Sequence, residues 1–470
     1  MTEQILLSPI AAVQKLFRDR RLSPVELADM LLDRIEELQP VLNAYVTVAT
    51  EDLRREAQAS EQRIVQGKAL GPLEGIPVSV KDNIATAGLP TTAGSPTHRE
   101  WVPARDAPCI AALRRAGANI VGKTQLFQFA FGEAHPDFGH VANPWNTDLS
   151  TGGSSSGSVA AVAAGLCFGS VATDAGGSIR VPAALCGVVG HKPTFDLVDR
   201  TGVIPTAWSL SQVGPVGRTV GDTAALLEGL RPGLRVRGLG NGVEGLRLAV
   251  TVVQSEERID EEVAEAVNRV VRMLEEQGAT ITSVELPDLM IVRATLWTIA
   301  AAEAADYHTA WLSERPEDYH PVVRVRLERG WDIPAAAYVR AQRVRRWITD
   351  RLADLLEDVD ALLMPVSPIT AYRLGSRMVE IEGHEEEVAQ AVTRYTPLAS
   401  ITGRPAISVP CGLSSDGLPI GLQVIGHPDE DGTVLRIGQT CQQESGWFDH
   451  PRTDVRGGAV MTPRLRQHDG

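Results

Sequence analysis

The chain has 470 residues, 45 basic against 59 acidic, and carries a formal charge of −14. At 43% hydrophobic and 22% charged it has the composition of an ordinary globular protein, which excludes disorder for most of its length. The acidic balance argues against a grip on nucleic-acid phosphates, and no apolar run reaches the ~18 residues of a transmembrane span. Neither nucleic acid nor membrane is expected as a partner. The opening MTEQILLSPI has neither the charged onset nor the long apolar core of a secretion signal, so a cytoplasmic location is expected.

In chain order, SPVELADMLLDRIEELQ (23–39) predicts a helix, with a Ser cap, Pro next and apolar residues at helical spacing. LNAYVTV reads as a strand, 51–66 as a polar helix, and GIPVSVKDNI (75–84) as a buried strand running into a turn. Residues 107–124 read helix, glycine stop, strand, which is half of a βαβ unit. The Gly/Ser/Ala-rich stretch 151–193 gives a tight helix (158–166), the strand CFGSVATDA and a helix start at SIRVPAALCGV. Downstream come a strand (246–253), a helix with a glycine stop (259–278), the strand ATITSVELP and a long amphipathic helix (335–359). The strands DALLMPV, PAISVP and IGLQVIG and a final helix (433–445) close the pattern. Such alternation predicts an α/β fold, one large domain with a mixed, twisted β-sheet covered by helices on both faces. The expected organisation is an N-terminal helical segment packed on the core (1–70), the α/β domain (71–450) and a polar tail (451–470).

Five scattered cysteines (Cys109, Cys167, Cys186, Cys411, Cys441) form no CxxC pair, and the ten histidines form no HExxH motif. No disulfide framework, metal or cofactor is expected. Five of the 45 basic residues are lysines (Lys15, Lys68, Lys81, Lys123, Lys192), which leaves 40 arginines. Each lysine is therefore a candidate for a task arginine cannot perform, chiefly losing its proton near neutral pH.

Several local motifs are decoys. Gly240–Gly245 fits GxGxxG, but a strand follows where a dinucleotide site needs a helix. Gly152–Gly157 lacks the Lys-Ser/Thr ending of a phosphate loop. Gly153-Ser-Ser155-Ser-Gly157 fits a nucleophile elbow, yet it follows a polar loop rather than a strand. His135, His140 and His191 lie close by in sequence without a spacing that singles one out as a base; capping or surface roles are expected for them.

Three blocks spread over a hundred residues carry more: Gly75-IPVSVKDN, Gly152-GSSSGS and Asp174-AGGSIRVPA. Lys81 lies 73 residues before Ser154, and Ser154 lies 24 before Ser178. In this order and spacing, with the flanking segments AGANIVGKT, NPW, CGVVGHKP and PAISVPCG, the chain resembles the amidase signature family from about residue 8 to 448. The resemblance implies that family's fold and an amide hydrolase with Ser178 as nucleophile, Ser154 after a cis peptide bond as bridge and Lys81 as base. It also implies an oxyanion hole built from the N–H groups of Ala175, Gly176, Gly177 and Ser178. Ser155 is expected to support Ser154, Asp174 and Arg180 to brace the loop, and Phe129, within FQFAF (127–131), to line the acyl pocket. The family often has Thr where this chain has Ala175, so a hydroxyl near the substrate is missing here; it commonly has Gly where this chain has Ser156, a small change that is expected to be tolerated.

The chemistry is coherent by itself. A serine hydroxyl needs a neighbour to take its proton, and a lysine serves only when neutral, which requires lowering its pKa by ~3 units through burial. The expected partner is a small-molecule amide, with esters and carbamates open to the same path and a homodimer kept as an open assembly state. Two rivals stand: the glutaminase subunit of a tRNA-dependent amidotransferase, and a nucleotide-binding protein using the Gly-rich loops. Against the first, Arg394-YTPLASITG before PAISVP is similar to stand-alone amidases, and the Met-Tyr and Asp-x-x-Thr pattern that the amidotransferase type carries at this approach is not found there.

Overall fold

The computed structural model describes residues 2–251 and 258–445. The polar tail (451–470) and the last two residues of the predicted strand 246–253 lie outside them. Local signals act where the sequence puts them. Ser23 accepts from the Glu26 N–H while the Glu26 carboxylate accepts from the Ser23 N–H, and this capping box opens the helix Pro24–Leu42. Asn43, in the left-handed conformation, ends it.

Among the described residues, eleven strands form one mixed sheet. Its spatial order is Tyr45–Val48, Asn119–Thr124, Pro77–Lys81, Gly169–Asp174, Gln212–Gly217, Val189–Lys192, Ala406–Leu413, Pro419–Gly426, Ala361–Pro365, Arg247–Thr251 and Thr280–Val284. Pro77–Lys81 runs parallel to both of its neighbours, whereas the pairs from Gly169–Asp174 through Ala361–Pro365 are antiparallel.

Successive strand residues point to opposite faces, and the core divides accordingly. Leu248, Leu363, Ile407 and Val424 belong to one apolar cluster, their neighbours Ala249, Leu362, Ala406 and Ile425 to another. Helices Pro24–Leu42, Ser156–Ala163, Glu261–Glu276 and Asp431–Glu444 contribute to the first, and Leu289–Glu314 and Ala335–Leu355 to the second. Both faces are covered, as the alternation predicts.

The 26-residue helix Leu289–Glu314 and the helix Pro321–Trp331 that packs on it have no counterpart in the sequence reading. Apolar residues surround the longer helix, so it shows no single stripe to read. No helix among the described residues is long and apolar enough to cross a membrane.

Candidate active site

The parallel strands Pro77–Lys81 and Gly169–Asp174 end side by side, Val80 paired with Val171. Their carboxyl ends therefore deliver Lys81, Thr173 and Asp174 to one edge of the sheet, where α/β folds place ligands. Helix Ser156–Ala163 starts at the same edge, preceded by the cis peptide bond Gly153–Ser154. Gly153 has no substitute there, because an added Cβ would run into the Phe127 ring.

Lys81 is fully buried. Its Nζ lies 2.9 Å from the hydroxyls of Ser154, Ser155 and Thr173, and 3.3 Å from the Thr173 carbonyl oxygen. Burial pulls its pKa from 10.5 down to about 7, against the opposing pull of the Asp174 carboxylate. The Ser155 hydroxyl donates to the Thr173 carbonyl at 3.2 Å, so its oxygen is left to accept from Lys81. This bonding is incompatible with an exposed elbow nucleophile at Ser155. Two other lysines, Lys123 and Lys192, are as deeply buried, and burial lowers them to about 8 and about 7.

Asp174 and Arg180 form a buried bidentate pair, Nε to Oδ2 at 3.0 Å and Nη2 to Oδ1 at 2.9 Å. Burial opposes the charge on Asp174, but the Arg180 guanidinium outweighs it and holds the carboxyl at about 2. The other guanidinium donors reach the Thr396 carbonyl, the Gln423 side-chain oxygen and the Ser400 hydroxyl. All five N–H groups of Arg180 are thus engaged inside the protein, and the Asp174 carboxylate also accepts from the N–H groups of Gly177 and Ile179 in the loop.

Ser178 follows that loop and lines, with Ser154, Ala175 and Gly176, a cavity of about 260 Å³. Its hydroxyl makes no hydrogen bond to another described residue, while its carbonyl accepts from the Ser155 N–H at 3.2 Å and ties the two serine blocks together. The four expected oxyanion donors do not behave alike. The Gly177 N–H donates to Asp174 Oδ1 at 2.8 Å and points away from the cavity. The N–H groups of Ala175, Gly176 and Ser178 find no acceptor among the described residues, and these three residues face the cavity. The backbone turns at Gly177 (φ 130°), where an added Cβ would run into the Thr396 hydroxyl.

Phe129 is not in the cavity wall. At a left-handed φ of 52° it turns into an aromatic cluster, 4.3 Å from the His308 ring and 5.5 Å from those of His98 and Tyr319. Its neighbours Phe127 and Phe131 line the cavity instead, together with Leu296 and Trp297 from the unanticipated long helix. Strand-like alternation would put Phe127, Phe129 and Phe131 on one side; the left-handed residues Phe129 and Ala130 break it, and no signal in the segment separates Phe129 from its neighbours. Charged residues of the wall include Glu133, Arg326, Arg377 and Glu387. Of the three histidines near the blocks, His140 lines the cavity, His135 accepts from the Asp137 N–H and His191 pairs with Asp431. Gly240–Gly245 runs into the strand Arg247–Thr251. No group of three potential metal ligands occurs among the described residues.

The family model for amidases matches residues 26–435. A Pseudomonas putida amidase is 37% identical over 94% of this chain and 97% of its own length. A solved structure of an amidase, 34% identical, superposes over 93% of this chain and all of its own with a TM-score of 0.86. At the same 34% identity, a glutamyl-tRNA(Gln) amidotransferase subunit from Thermotoga maritima covers 90% of this chain and 94% of its own with a TM-score of 0.73. Family model, relatives and solved structures agree, and the chain belongs to the amidase family of hydrolases, the amidase signature enzymes that its three blocks resemble.

Proposed function

We propose that the chain hydrolyses a small carboxylic amide without partner proteins, through an acyl-enzyme on Ser178. The observation that carries this reading is the buried Lys81 amine in contact with Ser154, which lines the same cavity as Ser178 and three unpaired backbone N–H groups. A neutral amine donates twice and accepts once. With Ser155 and Thr173 taking its two protons, the lone pair is left for the Ser154 hydroxyl.

In the first step Ser178 Oγ attacks the amide carbon. Its proton passes to Ser154 Oγ as the Ser154 proton passes to Lys81 Nζ. The carbonyl oxygen becomes an oxyanion facing the N–H groups of Ala175, Gly176 and Ser178. The C–N bond then breaks as Ser154 protonates the departing nitrogen and Lys81 returns its proton to Ser154. Water, deprotonated by the same relay, attacks the acyl ester and releases the acid and free Ser178. Substrate entry brings the Ser178 hydroxyl into hydrogen-bonding range of Ser154, since such contacts tighten in the occupied site. Esters and carbamates fit the same steps.

What favours an independent enzyme over a component of an amidotransferase is the fit to the solved amidase, 0.86 against 0.73 at equal identity. The test uses the purified chain alone, with a fluorophosphonate. Amide or anilide turnover without added partners, lost as one label appears at Ser178 by mass mapping, is expected. A label at Ser155 would restore the elbow, and turnover that requires partner proteins would favour the amidotransferase reading.

A further inference from the structure

We infer that Thr396 is a positioning residue for the oxyanion site, holding one peptide plane so that its neighbours aim into the cavity. This rests on the reading of Ser178 as nucleophile. The Gly176–Gly177 peptide is clamped at both ends. Its N–H donates to Asp174 Oδ1 at 2.8 Å, and its carbonyl accepts from the Thr396 hydroxyl at 2.6 Å. A plane fixed at N–H and C=O cannot rotate, and the flanking N–H groups of Gly176 and Ser178, which are the unpaired ones, inherit their directions from it. The two clamps share an anchor: Arg180 binds the Asp174 carboxylate through Nε and Nη2 and the Thr396 carbonyl through Nη1 at 2.8 Å. Thr396 is fully buried, and its hydroxyl occupies the space that a side chain on Gly177 would need. It touches no reacting atom.

The hydroxyl is the testable part. T396V keeps the shape and removes the O–H; T396S keeps the O–H. If the clamp acts on oxyanion geometry, T396V lowers kcat about 10- to 100-fold, less than the ~100- to 1,000-fold cost of deleting a donor outright. KM stays within about twofold, because the ground-state carbonyl gains little from these donors. Affinity for a trifluoromethyl ketone, whose adduct places an oxyanion in the site, falls by the same factor as kcat, and T396S recovers both. A merely structural threonine would lower the melting temperature without that proportionality. Unchanged kcat in folded T396V, or a kcat loss that leaves the ketone affinity intact, overturns the inference. If T396V does not fold, T396A compared with T396S gives the same readout. An inactive Ser178→Ala protein beside a fully active T396V would reject this inference alone, whereas an active Ser178→Ala would reject the reading beneath it.

Discussion

Ser178→Ala is expected to cut turnover about 10⁴-fold or more, which is the scale on which loss of an activated nucleophile is felt. Nothing nearby replaces it. The Ser155 hydroxyl is bonded to Thr173 and Lys81, and Ser154 is buried as the link to Lys81. Because the Ser178 hydroxyl makes no hydrogen bond to another described residue, its removal leaves the fold intact. The melting temperature should move by no more than a surface substitution would move it. Steady-state turnover with a chromogenic anilide, beside a thermal melt, makes the measurement. A stable variant that retains a tenth of the activity would leave Ser178 without its assigned part.

Lys81→Arg is expected to cost at least ~100-fold, as much as Lys81→Ala and at the lower range for losing a positioned base. In a chain with 40 arginines and five lysines, this exchange would be mild at a site needing only charge. At Lys81 the need is for an amine that sheds its proton, and a guanidinium with a pKa above ~12 does not. The pH dependence gives the sign. Below about 7 Lys81 is protonated and cannot accept, and above about 7 it is neutral and active. Wild-type kcat/KM should therefore climb along one limb with a midpoint near 7 and then level off, and the limb should vanish in both variants. A folded Lys81→Arg protein with near-normal turnover would take lysine out of the mechanism and turn attention to His140, the histidine in the cavity wall.

The parts of this molecule that sequence made legible are those decided over short distances. The Ser23–Glu26 box, the glycine stop after Arg115 and the strand–turn at Lys81 are local events, and they occur where the residues predict. The Lys81, Ser154 and Ser178 blocks were legible because each is contiguous. What sequence did not supply was direction. Gly177 is correctly placed in the loop, but its φ of 130° and the Asp174 carboxylate turn its N–H away from the cavity. Phe129 is turned away by two consecutive left-handed residues, itself and Ala130, and the cavity wall takes Phe127 and Phe131 on either side of it. Thr396 reaches Gly176 across 220 positions, a contact made by the tertiary fold alone. The helix Leu289–Glu314, apolar on nearly every side, offered no periodicity to find.

The depth of the three inner lysines has a practical corollary for anyone attaching this protein to a bead or a dye. Lys81, Lys123 and Lys192 are sealed from solvent, while Lys15 and Lys68 stand on the surface. An N-hydroxysuccinimide ester applied to the folded chain thus finds two lysine side chains, both within the first 70 residues and neither in the cavity wall. Coupling by that route should leave turnover intact at full modification, and unfolding in urea should raise the number of reactive lysines from two to five. Peptide mapping before and after denaturation reads the difference.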